Sequence, residues 1–438
     1  MTILDAGTGG GRLAFGNAVR RIFMSGMTST REQANREAFR RMCESEPVLV
    51  DVLPAIDAIP GMTAETILTS GPRLEWGDYV GGQREAIIGG AIFEGLARDR
   101  EDADKKLREG RIRIDGCQAY NAVGSVAGIY TASMPVFAVR NARFGNVGYC
   151  NFYEGTNPRR LNYGVYDDGV RDRLRYVNGT VAPILAEAVR RSGGIPLKPI
   201  MRRALHMGDE LHSRCTAASL MFARELFPHF LAVAETSRDG VEKTIEALTA
   251  DNYFFLRLSM AAAKATADAA HNIKHSSIVT AMAISCREFA IRVSGLGERW
   301  FCGPHPAVEA KLFEGHTQDE ITWMGGESII AETIGLGGFA QAAAFPLQTY
   351  QGGSPAAMVE RNLELYRITA GENTDFHIPF LSYRGTPTGI DVFKVLETGI
   401  TPVMDVGIPG RDGGQIGAGI VRAPIECFKR AADAFHSV

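Results

Sequence analysis

Apolar positions change their period repeatedly along the chain, and each change predicts a different kind of structure. From Glu46 to about Pro196, short apolar runs stand between turn residues: Val48 to Leu53, Ile112 to Ile114, Met134 to Val139 and Gly148 to Phe152. Runs of that length predict strands. Amphipathic stretches over Gln83 to Arg98 and Val181 to Ser192 predict helices among them. From Leu197 to about Arg292 the period is almost wholly helical. Ala204 to Phe227, Val241 to Leu248, Tyr253 to His271 and Ile278 to Arg287 all lack an internal proline. After Ile291 strand and turn character returns. Residues 1 to about 45 are polar and Arg-rich; Gly7 to Gly11 reads as a flexible start. Ser29 or Thr30 would cap a surface helix over Arg31 to Phe39.

The expected architecture is mixed α/β (α+β) and multidomain, with an inserted all-helical subdomain. The segments are a polar extension over 1–45, an α/β domain over 46–196, helices over 197–292 and a C-terminal α/β part over 293–438. No internal repeat is visible.

Composition narrows the function classes. A length of 438 residues suits two or three cores, and a net charge of −3 gives no reason to expect nucleic acid or an anionic membrane as partner. No apolar run approaches the ~20 residues of a membrane span. The seven cysteines form no CxxC pair, and no secretory h-region opens the chain, which predicts reduced thiols in a cytoplasm. Glycine is in excess, with 49 residues, and it clusters at Gly7 to Gly11, Gly145 to Gly155, Gly325 to Gly338 and Gly407 to Gly419. The first cluster lacks the Gly-Lys-Ser/Thr ending of a phosphate-binding P-loop. Ala122 to Gly128 carries small residues suited to close packing or to a ligand-facing turn, with packing favoured.

The densest candidate chemistry is His206-Met207-Gly208-Asp209-Glu210-Leu211-His212-Ser213-Arg214, set in a stretch that otherwise reads as buried helix. Charged groups enter a core when paired, ligand-bound or used in chemistry. On a helix, His206, Asp209, Glu210 and His212 share one broad face. Six-residue spacing is not that of a zincin, and one metal reaches both histidines only if the helix breaks, as at Gly208. A salt-bridge network and a functional site are about evenly balanced here. Lys264, Asp268 and His271 form a polar stripe on an Ala-rich helix, a solvated face or the second wall of a polar cavity. Arg292, Glu298 and Arg299 put further charge beside glycines. Gly325-Gly326-Glu327-Ser328 opens a predicted helix with backbone N–H groups suited to a carboxylate or phosphate, and Glu327 and Glu332 there call for a compensating cation or a substrate N–H.

Eight stretches carry a resemblance. They are Ser70-Gly71-Pro72, Glu94 to Ala97, Ala122 to Gly128, His206 to His212, Asp268 to His271, Arg292 to Gly297, Glu332 to Phe339 and Gly413 to Gly419. In this order they resemble the bacterial YlbE/YahG-like family, the AllG-like subunit of oxamate carbamoyltransferase. The resemblance implies a discontinuous α/β architecture, work beside FdrA-like partner subunits, and the splitting of oxalurate by phosphate into oxamate and carbamoyl phosphate. Members often carry a longer N-terminal domain, which the short residues 1 to 45 would replace.

The resemblance implies chemistry at a carbamoyl or amide C–N bond of a small ureide-like or amide substrate. In that reading His206 and His271 are acid/base groups, oriented by Asp209 or Glu210. His212, Arg292, Glu298, Arg299, Gly326, Glu327 and Ser328 bind substrate. No cofactor is fixed. A variant places a divalent metal, zinc or manganese, on His206, Glu210 and His212 in an amide or cyclic-ureide hydrolase. The other class is a non-catalytic subunit of a carbamoyltransferase-like complex. The Ala/Gly-rich composition favours a homo-oligomer.

Overall fold

The computed structural model describes residues 30–250 and 252–435. The Gly7 to Gly11 run and Ser29 lie outside them. The first helix, 30–44, is more than a surface helix: Ala38 and Met42 are buried, and so is the amide of Asn35. Asn35 Nδ2 donates to Ser277 Oγ and Asp391 Oδ2, both at 2.9 Å, fastening the helix to two distant parts of the chain.

A five-stranded sheet runs in the order Ala122–Val123, Val147–Asn151, Pro135–Asn141, Pro47–Pro54, Ile195–Pro196. Only the first pair is parallel. Helices Ala182–Ser192, Leu197–His206, Thr216–Thr249 and Leu256–Ala269 pack with this sheet. The Ala-rich sequence of the last helix allows close approach: a Cβ on Gly148 would come within 2.6 Å of the Ala261 carbonyl oxygen. Phe137 and Phe152 stack at 4.6 Å between ring centres, and both meet Phe254 edge-on. A single apolar cluster joins Leu49, Phe137, Leu185, Leu226, Ala262 and Ile330, so helices and sheet share one core.

Two helical expectations are corrected. Ile278 to Arg287 holds the strand Val279–Ile284, paired antiparallel with Glu288–Val293. Every residue of Val279–Ile284 is buried, and a strand covered on both faces shows no alternation to separate it from a helix. Ala204 to Phe227 is not continuous. One helix ends at His206 and the next starts at Thr216.

The rest of the C-terminal part contains two three-stranded antiparallel sheets. One joins Val279–Ile284, Glu288–Val293 and Trp300–Pro304; the other joins Val308–Leu312, Gln415–Arg422 and Val403–Pro409. Glycine in the last cluster serves packing: a Cβ on Gly419 would lie 2.0 Å from the Glu309 carbonyl oxygen. The architecture is mixed α/β, as the patterning predicts.

Candidate functional site

The loop between the helices ending at His206 and starting at Thr216 is built by its own charges. Gly208, at φ +94°, turns the chain out of the first helix. The buried Asp209 carboxylate accepts from Ala218 N at 2.9 Å and so caps the next helix, with Arg214 Nε at 3.6 Å. Burial pushes its carboxyl up to about 6, against the pull of the amides and Arg214. Glu210, fully buried, accepts from the amides of Ser213 and Arg214. Burial and then the neighbouring Asp405 push its carboxyl well upward. Both acids therefore hold the loop rather than face a ligand.

Leu211 sits at φ +70° with no exposed surface, a conformation that costs energy for a branched side chain. Ser259 Oγ donates to its carbonyl at 2.7 Å. This turn delivers His212 to the wall of a cavity of about 760 Å3. His212 Nδ1 lies 2.8 Å from Glu332 Oε1, an oxygen that also accepts from Gly338 N and Asp405 N at 3.0 Å each. Desolvation opposes the His212 charge, but Glu332 outweighs it and raises the imidazole above its ordinary range. With Nδ1 engaged, Nε2 is the ring nitrogen left for the cavity.

Opposite walls come from distant parts of the chain. Ser125, Val126, Gly325, Gly326 and Ser328 contribute polar backbone and hydroxyls; Tyr153, Tyr163, Tyr253, Tyr350 and Trp323 contribute rings. Val126, at φ +55°, is a second branched residue in a costly conformation on this wall. Arg160, Arg257 and His305 are the remaining basic residues that line it. Burial lowers His305.

The expected free amides at the glycine turn are already used. Gly326 N donates to Ile284 O and Glu327 N to Gly124 O, both at 2.8 Å, and the helix that follows has four residues. Glu327 is fully buried and accepts from Gly71 N at 3.0 Å and Gly124 N at 2.8 Å. Burial pushes it up to about 7 against those amides and the nearby Lys264 and Arg292. It is a brace behind the cavity wall.

The sequence candidates separate into three places. Asp209, Glu210 and His212 share the loop, and Gly326 and Ser328 line the same cavity as His212. The stripe forms a second polar cluster rather than a wall of this cavity. Lys264 Nζ pairs with Asp268 at 2.7 Å, and Arg292 reaches Glu298 at 2.6 Å and Asp268 at 3.4 Å. There His271 lies 3.3 Å from Glu298 and 2.7 Å from Thr280 Oγ1, and its buried imidazole is held neutral, lowered by desolvation and then by Arg292. His206 and Arg299 stand exposed, against Tyr383 (5.4 Å between ring centres) and over Phe301 (5.2 Å).

His206 therefore does not share a face with His212, because the helix that would align them ends between them. A metal on His206, Glu210 and His212 does not fit: His206 is on the surface and the Glu210 oxygens hold amides. Among the described residues no three His, Cys, Asp or Glu side chains cluster to hold a metal ion. Sequence reasoning passed over Arg160, Arg257, the tyrosines and Asp405. Arg257 carried a signal, a lone cation inside Phe254-Phe255-Leu256-Arg257-Leu258-Ser259-Met260.

Comparisons with known proteins converge. The profile of the family described as oxamate carbamoyltransferase subunit AllG matches residues 112–328. The uncharacterized protein YahG of Escherichia coli K12 is 37% identical over 425 residues, covering 97% of this chain and 90% of that protein. The oxamate carbamoyltransferase subunit AllG of the same organism is 37% identical over 407 residues, 92% of this chain and 97% of that protein. Coverage of that extent leaves neither relative room for the longer additional domain expected above. A crystal structure of a conserved protein of unknown function from Enterococcus faecalis V583 superposes with a TM-score of 0.91 at 38% identity, covering 94% of this chain and 99% of that one. Among the described residues no helix is long and apolar enough to cross a membrane.

Proposed function

Because the chain belongs to the family of the oxamate carbamoyltransferase subunit AllG, we propose that its cavity is the site of chemistry at a carbamoyl or amide C–N bond of a small ureide-like or amide substrate. The observation that carries this reading is His212, presented to the cavity with Nδ1 held by Glu332 at 2.8 Å. An imidazole oriented by a carboxylate serves as general base toward an attacking group and as general acid toward a departing nitrogen. His212 with Glu332 thus takes the part that the sequence alone assigned to His206 and His271. Phosphate as attacking group makes the reaction a carbamoyl transfer, and water makes it a hydrolysis.

Partner subunits of the FdrA-like kind, further copies of this chain and a cytoplasmic location belong to the same proposal. Leu220, Phe227 and Leu231 stand exposed along the helix Thr216–Thr249, which supports an assembly. A second reading, a subunit that binds ligand without turning it over, is favoured by the relative's description as a subunit.

The deciding experiment measures carbamoyl phosphate and oxamate turnover by the purified chain, alone and with co-expressed partner subunits. His212→Gln is expected to keep the fold and lose roughly 100-fold or more in kcat, the usual range for a lost acid/base. Full activity in that variant removes the catalytic reading. An inert wild-type chain in every combination leaves the ligand-binding subunit.

A further inference from the structure

Arg257 is the second residue of the helix Leu256–Ala269, set between the buried Phe254 and Phe255 and the core face of that helix. It is 5% exposed, and neither Nε nor Nη1 has a hydrogen-bond partner. A guanidinium cannot escape this position by losing its proton, so it must be compensated. Among the described residues, the lining of the cavity it faces contains no Asp, Glu or Lys. Its other described basic members are Arg160, His212 and His305, so the described wall is short of negative charge. Arg160 donates to Gly155 O at 3.2 Å and lies 4.7 Å from the centre of the Tyr163 ring, held by its own contacts. The Arg257 charge is felt in the interior behind it, where it opposes the burial that raises the Cys150 thiol. The next residue, Asn151, has a buried Nδ2 that also lacks an acceptor. Donors without acceptors, beside a cavity without acids, describe the protein half of an ion pair.

We propose that Arg257 is the receptor for a substrate oxyanion, a carboxylate or phosphate group that enters the cavity and supplies the missing counter-charge. The fork of a guanidinium matches two oxygens of either group, and a neutral amide cannot replace them. Aromatic walls suit a flat molecule, and the function proposed above supplies its amide or carbamoyl end. Arg257 fixes the acid end, leaving the amide carbon for His212. The assignment of the amide end rests on the function proposed above; the anion site itself does not.

The test uses isothermal titration of the full-length chain with three probes: oxamate, its neutral analogue oxamide, and inorganic phosphate. The wild type is expected to bind oxamate or phosphate at least tenfold more tightly than oxamide. Arg257→Met should weaken that anion 30-fold or more and leave oxamide unchanged, whereas Arg238→Ala, at an arginine exposed on the helix Thr216–Thr249, should bind as the wild type does. Arg257→Lys keeps the charge without the fork and should fall between, and it decides the matter if the methionine variant does not fold. Preference for oxamate identifies the substrate carboxylate, and preference for phosphate identifies the attacking or transferred group. A wild type that binds neither anion, or Arg257 variants that bind both unchanged, overturns the proposal. An inactive His212→Gln beside undiminished anion binding in the Arg257 variants would sink this site and spare the proposed function. Full activity in His212→Gln beside lost anion binding at Arg257 would do the reverse.

Discussion

Glu327 and Arg257 are both charged side chains inside the protein, and their surroundings give them opposite meanings. Glu327 has two backbone amides as partners, at 3.0 and 2.8 Å, and braces Gly71 to Gly124. Arg257 has donors left over and a cavity in front of it. Sequence alone shows only that a charge sits among apolar neighbours; whether it is spent or free depends on contacts hundreds of residues away. Glu327 yields a pH prediction. Burial lifts its carboxyl from an ordinary 4.5 to about 7. Folding therefore takes up a proton between those values. Its contribution to stability is fully present below about pH 4.5, is lost as pH rises toward 7, and is level above. The loss amounts to about 3 kcal/mol. Glu327→Gln cannot titrate and turns an amide NH2 toward a backbone donor, so it should be less stable than wild type at pH 5 and show a flatter profile. Urea unfolding of both proteins from pH 5 to 8 checks this; parallel profiles would exclude Glu327 as the titrating group.

At the scale of elements, the sequence is legible where turn residues bracket a short apolar run or a helix keeps one polar face. The strands Pro47–Pro54, Pro135–Asn141 and Val147–Asn151 and the helix Ala182–Ser192 lie close to where periodicity predicts them. It fails at Val279–Ile284, buried on both faces, and at 207–215, where charges that suit a helical face are instead spent on loop amides. Glycines show the same limit, because their crowding is a property of pairs of segments. Gly124 and Gly128 approach so closely that a Cβ on either lies 2.4 Å from the other's Cα, and Gly128 sits at φ +62°. This contact shapes the turn carrying Ser125 and Val126 to the cavity. Gly128→Ala should therefore cost roughly 3 kcal/mol or more, by clash and strained backbone together. Gly110→Ala, at φ +70° but with open space around its Cβ, should cost only about 1 kcal/mol. Thermal unfolding of the pair compares them directly, and equal losses would mean that the Gly124–Gly128 contact yields easily.

For the whole molecule, the question is whether the segments read as separate domains unfold separately. The cavity wall draws on Ser125 to Tyr163, His212 to Arg257, Ile284 to Ile329, Tyr350 and Val406 to Val421, so it closes only when most of the chain is in place. The largest apolar cluster likewise mixes Val52, Leu226 and Ile334, contributed by three of the segments distinguished by their period. Such sharing of core predicts one cooperative transition in scanning calorimetry. A ligand that binds the cavity then stabilises the entire fold: at 100 times its Kd it should add about 2.7 kcal/mol, seen as an upward shift of the whole transition. Two resolved transitions, with only one moved by oxamate or phosphate, would instead assign the cavity to one independently folding part. At the same anion concentration Arg257→Met should move the transition by about 0.9 kcal/mol or less, because binding 30-fold weaker leaves the anion at only about three times its Kd.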